Sequence, residues 1–139
     1  MNEGSITLRL QAKVEEIERL NRQVRQFGDL HEVPSRTLYA VNLAIDELVT
    51  NAILHGFEDA AGQELIVRLE ASGGELIASV IDSGKEFNPT TAPLPDLHAP
   101  LEDRELGGLG IHLVRSLMDH VEWQRTDGRN VLTVRKRNR

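Results

Sequence analysis

Glu47-Leu48-Val49-Thr50-Asn51-Ala52-Ile53-Leu54-His55-Gly56 closes the longer of two helical stretches near the start of the chain. Upstream, Pro34-Ser35 opens that stretch, with proline tolerated in a first helical turn. Leu38, Val41, Ala44, Ile45, Leu48, Ala52 and Ile53 recur at helical spacing and give it a wide apolar face, and Gly56 marks its end. Glu47, Asn51 and His55 stand at i, i+4 and i+8, on a face offset from the apolar stripe.

Working outward, Ser5 to Leu10 alternates apolar and polar residues, the pattern of a strand with one buried face. Val14, Ile17, Leu20, Val24 and Phe27 predict an amphipathic helix over 13–28, with Gly28 as its stop. Residues 64–70 and 75–82 read as strands joined by a Ser72-Gly73-Gly74 turn, with Leu76, Ala78, Val80 and Asp82 on one face. A loop over 84–107 holds Pro89, Pro93, Pro95 and Pro100, four of the five prolines. A helix follows over 109–119, with Leu109, Leu113, Val114, Leu117 and Met118 facing inward. A hairpin, 121–125 and 131–135, then closes around Asp127-Gly128. This order predicts an α+β fold: a two-layer sandwich, its sheet mostly antiparallel and its helices on one face.

The 139 residues fit one domain, 1–139, and a 40% apolar content supports a packed core. A net charge of −6 leaves no global basic field for nucleic acid, and the basic end, Arg135-Lys136-Arg137 with Arg139, reads as a solvated terminus. Cysteine is absent, which excludes disulfides and thiolate metal sites and suits a reducing cytoplasm. No apolar run approaches the ~18 residues of a membrane span, and the N-terminus lacks the pattern of a signal peptide.

Three groups of residues carry chemistry, and each has a plainer reading beside it. Asn51 is a mediocre helix former in a helix interior. Its amide oxygen suits Mg²⁺, which takes few protein oxygens along with phosphates and water. Glu47, one turn earlier, is placed to serve as a base; the plain alternative is a solvated helix face. Asp82 ends an apolar strand on its core-facing side, where a carboxylate needs a partner. An adenine amino group is one suitable donor, and a local turn through Ser83-Gly84 is the other explanation. Gly84 would let the backbone approach a base closely. Gly107-Gly108-Leu109-Gly110 opens a helix with amides free to point at a phosphate, or else serves as a hinge. No Gly-Lys-Ser/Thr follows, so it is not a Walker loop. Arg104 stands just before it and could pair with a γ-phosphate. His112 and His120 read as surface histidines, and Trp123 and Met118 as core.

Together these motifs resemble the Bergerat-type ATP site of DNA gyrase, MutL, the heat-shock chaperone ATPases and the histidine kinases. The resemblance spans roughly 35–136 and is nearest to the anti-sigma factor serine-protein kinases, whose first box reads Glu-Leu-x-x-Asn-Ala-x-x-His-Gly. Residues 47–56 fit it, and Gly107 to Asp119 is close to the family's segment there. The resemblance implies that Asn51 holds Mg²⁺, Glu47 is the general base for a protein serine, and Asp82 and Gly84 bind adenine. Phe87 and Pro89 would continue the second box. His55, Gly107, Gly108, Leu109 and Gly110 would line the nucleotide, under a lid formed by about 86–107, with Arg104 as a catalytic partner. It further implies a cytoplasmic homodimer that binds a sigma factor and phosphorylates an anti-anti-sigma (STAS-type) protein. The alternatives are a non-catalytic ATP-binding partner-switch module, a sensor-kinase ATPase domain, and an α+β domain without a ligand. Arg104 stands farther from Gly108 than in some members, and Asp127-Gly128-Arg129-Asn130 replaces the Gly-Thr pair common in related ATPases. No phosphoacceptor-histidine helix precedes the domain, which argues against a complete sensor kinase.

Overall fold

A computed structural model describes residues 3–56, 62–88, 90 and 108–138. The elements run β1 (Gly4–Gln11), α1 (Glu16–Leu30), α2 (Ser35–Asn51), a π-helical turn (Ala52–Gly56), β2 (Glu64–Ser72), β3 (Glu75–Asp82), α3 (Gly108–Leu117), β4 (His120–Thr126) and β5 (Arg129–Arg137). The five strands form one sheet in the order β1-β2-β3-β5-β4, with every neighbouring pair antiparallel. This is the α+β sandwich the sequence predicts.

Period-two burial decides which face the helices cover. Leu65, Val67 and Leu69 of β2, Leu76, Ala78 and Val80 of β3, and Leu132 and Val134 of β5 are all buried. They meet Leu20, Val24 and Phe27 of α1, Val41, Ala44, Ile45 and Leu48 of α2, and Ile111 and Val114 of α3 in one hydrophobic cluster. The register sets Asp82 opposite Asn130, with both on the helix-facing side of the sheet.

Several local readings are corrected. Gly28 does not stop α1, which runs on to Leu30 with Glu32 at positive φ beyond it. Gly28 instead leaves room for the Leu38 side chain of α2, which fills the space a Cβ there would take. Val14 lies ahead of α1 and is exposed, and Leu113 of α3 points outward at 41% exposure. The hairpin turns are two-residue turns, Gly73-Gly74 and Asp127-Gly128, with positive φ at all four positions. Such backbone twist matches the twist of the flanking strands. β5 therefore starts earlier than expected and takes Asn130 into the sheet.

The π-turn corrects the one-face reading of the first motif. Glu47 and Asn51 share the α-helix, but residue 55 falls in a wider turn, so helical i+4 spacing is not carried to it. The side chain of His55 lies outside the described residues.

Candidate functional site

A cavity of about 480 Å³, including its open mouth, lies between the helical layer and the helix-facing side of the sheet. Leu48 and Asn51 of α2, then Ala52 and Gly56 of the π-turn, form one wall. Val80 and Asp82 of β3 with Asn130 and Leu132 of β5 form the sheet side. Ile111, Phe87 and Trp123 complete it. The interior is apolar and the polar groups are few, the composition expected of a small-molecule site.

Asp82 makes the local turn contact of its plainer reading and meets a second protein donor across the sheet. Its Oδ1 accepts the Gly84 N–H at 2.9 Å, a local turn contact. The same oxygen accepts from Asn130 Nδ2 at 3.0 Å across the sheet. Oδ2 takes no hydrogen bond among the described residues, and the side chain borders the cavity.

Gly84 is buried, and the close neighbour that excludes a side chain there is the Gly56 carbonyl. That carbonyl also accepts the Lys85 N–H at 3.0 Å, so the π-turn is fastened to the second motif. The Gly84 carbonyl in turn accepts from Arg125 Nη1 at 2.9 Å.

Asn51 stands at the last position of α2 and borders the cavity. Its Nδ2 is buried without a hydrogen-bond partner among the described residues. An unpaired buried amide is costly, so this end of Asn51 fits a site that a polar ligand completes. The two ends of an amide have nearly the same shape, so a turned Asn51 would offer its oxygen instead. Among the described residues no group of three or more His, Cys, Asp or Glu could hold a metal.

Glu47 reaches across to α3, where its Oε2 occupies the space a Cβ on Gly110 would need. A carboxylate beside the first turn of a helix is favoured by the helix dipole. Next to it, burial holds the Asp46 carboxyl above its usual range, opposed by a hydrogen bond from Asn21 and reinforced by the Glu47 charge.

Of the expected site residues, Asn51, Asp82 and Phe87 line this cavity, Gly84 packs against its lining residues Gly56 and Asp82, and Glu47 meets Gly110, the sequence neighbour of the lining residue Ile111. Gly108 and Leu109 begin α3, but their side-chain surroundings lie outside the described residues. Pro89, Arg104 and Gly107 lie outside them altogether, as does most of the expected lid.

Two residues at the site escaped the sequence reading. Trp123, read as core, forms part of the cavity wall, and its Nε1 donates to Asn130 Oδ1 at 3.1 Å. Asn130 falls outside the expected strand 131–135, in the 127–130 segment that stands in place of the Gly-Thr pair of related ATPases. The alternation Asn130, Leu132, Val134 was the available signal that it continues a buried strand face.

Comparison with known proteins agrees with this geometry. The family model of the histidine kinase-like ATPase domain matches residues 10–136. Serine/threonine-protein kinase BtrW of Bordetella bronchiseptica is 31% identical over 72% of this chain and 70% of its own. The anti-sigma F factor of Clostridium acetobutylicum is 26% identical over 99% of this chain and 95% of its own. That of a Thermoanaerobacter species is 31% identical over 66% of this chain, which spans 64% of that relative's length. Among solved structures, the RsbU and RsbW domains of Rv1364c from Mycobacterium tuberculosis share the fold with a TM-score of 0.70 at 20% identity. The match covers 96% of this chain and 32% of that longer one. The chain belongs to the histidine kinase-like ATPase domain family, and within it resembles relatives named as anti-sigma factors and as a serine/threonine-protein kinase.

Proposed function

We propose that this protein is an ATP-dependent protein serine kinase acting as an anti-sigma regulatory factor. Its substrate would be a serine on an anti-anti-sigma protein of the STAS type, and its other partner a sigma factor. The observation that carries the reading is Asp82: a carboxylate bordering an apolar cavity, with one oxygen committed to protein donors and the other without a partner among the described residues. Such a group accepts from the exocyclic amine of adenine.

In this reading adenine lies against Val80, Leu132 and Phe87, with Gly84 holding the adjacent turn. Asn51, His55, Gly107, Gly108, Leu109 and Gly110 would line the phosphate side, and Pro89 would continue the second box. Asn51 would be the protein ligand for Mg²⁺, which when bound would neutralise phosphate charge. The donor set would fit through the amide oxygen of Asn51 alone, since its buried Nδ2 is a donor and cannot ligate a cation; the lack of a carboxylate cage among the described residues suits an ion that arrives on the nucleotide phosphates.

Glu47 takes the proton of the substrate serine as its oxygen attacks the γ-phosphorus. The bond to the bridging oxygen breaks, ADP leaves, and phosphoserine forms. Arg104 would meet the γ-phosphate charge from a lid over 86–107. The working form would be a cytoplasmic homodimer of one domain per chain. No described helix is long and apolar enough to cross a membrane.

One observation favours a second reading, a non-catalytic ATP-binding partner switch. The Glu47 carboxylate lies against Gly110 of α3, where a purely structural role is available to it. Incubation with labelled ATP and a STAS-type protein separates the two. Acid-stable phosphate on the partner supports the kinase. ATP binding with no transfer to any such partner supports the switch.

A further inference from the structure

Asn130 is buried, 6% exposed, and spends its whole carboxamide on four hydrogen bonds. Nδ2 donates to Asp82 Oδ1 at 3.0 Å and to the Lys85 carbonyl at 2.8 Å. Oδ1 accepts from Trp123 Nε1 at 3.1 Å and from the Phe87 N–H at 3.3 Å. This set fixes which end of the amide is which. An indole N–H and a backbone N–H can only donate, so the atom they meet must be oxygen. A backbone carbonyl can only accept, so the atom it meets must be nitrogen. The end facing Asp82 is therefore a donor, and Asn130 cannot turn over without breaking all four bonds.

The consequence falls on Asp82. With Gly84 N–H and Asn130 Nδ2 both on Oδ1, the carboxylate is held in one orientation, and Oδ2, which has no partner among the described residues, is left for a ligand. We propose that Asn130 is the positioning residue for base recognition: by holding Asp82 Oδ1 and turning Oδ2 to the ligand, it makes the cavity selective for a 6-aminopurine over a purine lacking that amine. The inference rests on the nucleotide reading above. A hydroxyl side chain at 130 has one donor proton that rotates, so it cannot hold Asp82, Lys85, Phe87 and Trp123 together. An Asp at 130 would set acceptor against acceptor at both Asp82 and Lys85.

Selectivity, unlike affinity, separates positioning from general support of the fold. The test titrates ATP and purine riboside triphosphate, which lacks only the 6-amino group, into wild type, Asn130→Asp and Asn130→Thr, with melting temperatures in parallel. Wild type is expected to prefer ATP by about tenfold or more, the scale of one hydrogen bond to a charged group. In both variants ATP affinity should fall toward that of the analogue while the analogue's affinity stays nearly constant. Should Asn130→Asp fail to fold, Asn130→Thr carries the comparison. If both variants fail, Asp82→Asn in the otherwise natural chain must abolish the preference for the proposal to stand. Equal losses for the two nucleotides, or a preference that survives in the folded variants, would overturn it. A wild type that binds both equally overturns it too, with nucleotide binding intact. A wild type that binds neither overturns the nucleotide reading itself.

Discussion

The Gly56 carbonyl lies where a Cβ on Gly84 would have to stand, and it also accepts the Lys85 N–H at 3.0 Å. The two motifs are therefore one structural unit: the π-turn that ends the first fixes the backbone of the second. Gly84→Ala cannot be relieved by a side-chain rotation, because the obstruction is backbone. The expected cost is about 1–3 kcal/mol of stability, the range for an overpacked interior. It should be read as a lower denaturation midpoint together with loss of ATP binding. An alanine variant with wild-type stability and affinity would contradict the close approach.

Glu47 tests catalysis separately from binding. Glu47→Gln keeps the shape beside Gly110 and removes the base. Phosphoryl transfer should fall by about 10²–10⁴-fold, the usual contribution of a positioned general base. ATP affinity should hold. If transfer persists at the wild-type rate, Glu47 is a structural neighbour of α3 and not the base.

Trp123 is the sole tryptophan of the chain and lies in the cavity wall. Added ATP should change its fluorescence saturably, with the same midpoint as calorimetric binding. Binding seen by heat with an unchanged tryptophan signal would put the nucleotide elsewhere.

Asp46 gives a pH dependence with a definite sign. Burial, reinforced by the Glu47 charge and opposed by the Asn21 hydrogen bond, raises its carboxyl in the folded state. The folded chain thus holds this proton to higher pH than the unfolded chain does. Ionised Asp46 costs stability above its folded pKa, and the cost disappears as pH falls through that value toward the unfolded one, ~3.9. Asp46 Oδ1 and Asn42 Oδ1, one turn apart on α2, are both buried without a partner among the described residues, and so is Asn21 Oδ1 on α1. Asp46→Asn supplies a donor among them. The variant should melt above wild type near pH 8, with the gap closing toward pH 4. A gap that is constant with pH, or of opposite sign at pH 8, would contradict this.

The fold was legible because its elements carry strong period signals: Leu65, Val67 and Leu69 alternate, and Leu38, Val41, Ala44, Ile45 and Leu48 form a helical face. The local motifs were legible for a similar reason, since Glu47, Asn51, Asp82 and Gly84 sit at short, fixed spacings. What stayed hidden depends on residues distant in the chain. Asn130 meets Asp82 through β3–β5 register, which no local window contains. Gly28 reads as a helix stop until Leu38 is seen to fill its missing side chain. The π-turn breaks the i+4 rule within the motif itself, where nothing in Ala52-Ile53-Leu54-His55-Gly56 announces a wider turn.

The most direct test of the site is calorimetric titration of ATP into the protein, with and without Mg²⁺, for wild type, Asn51→Ala and Asp82→Asn. Saturable binding that Mg²⁺ strengthens in wild type, with the Mg²⁺ effect lost in Asn51→Ala and affinity lost in Asp82→Asn, is the expected result. Wild type that takes up no ATP at millimolar concentration, or variants that bind as well as it does, would contradict nucleotide binding in this cavity.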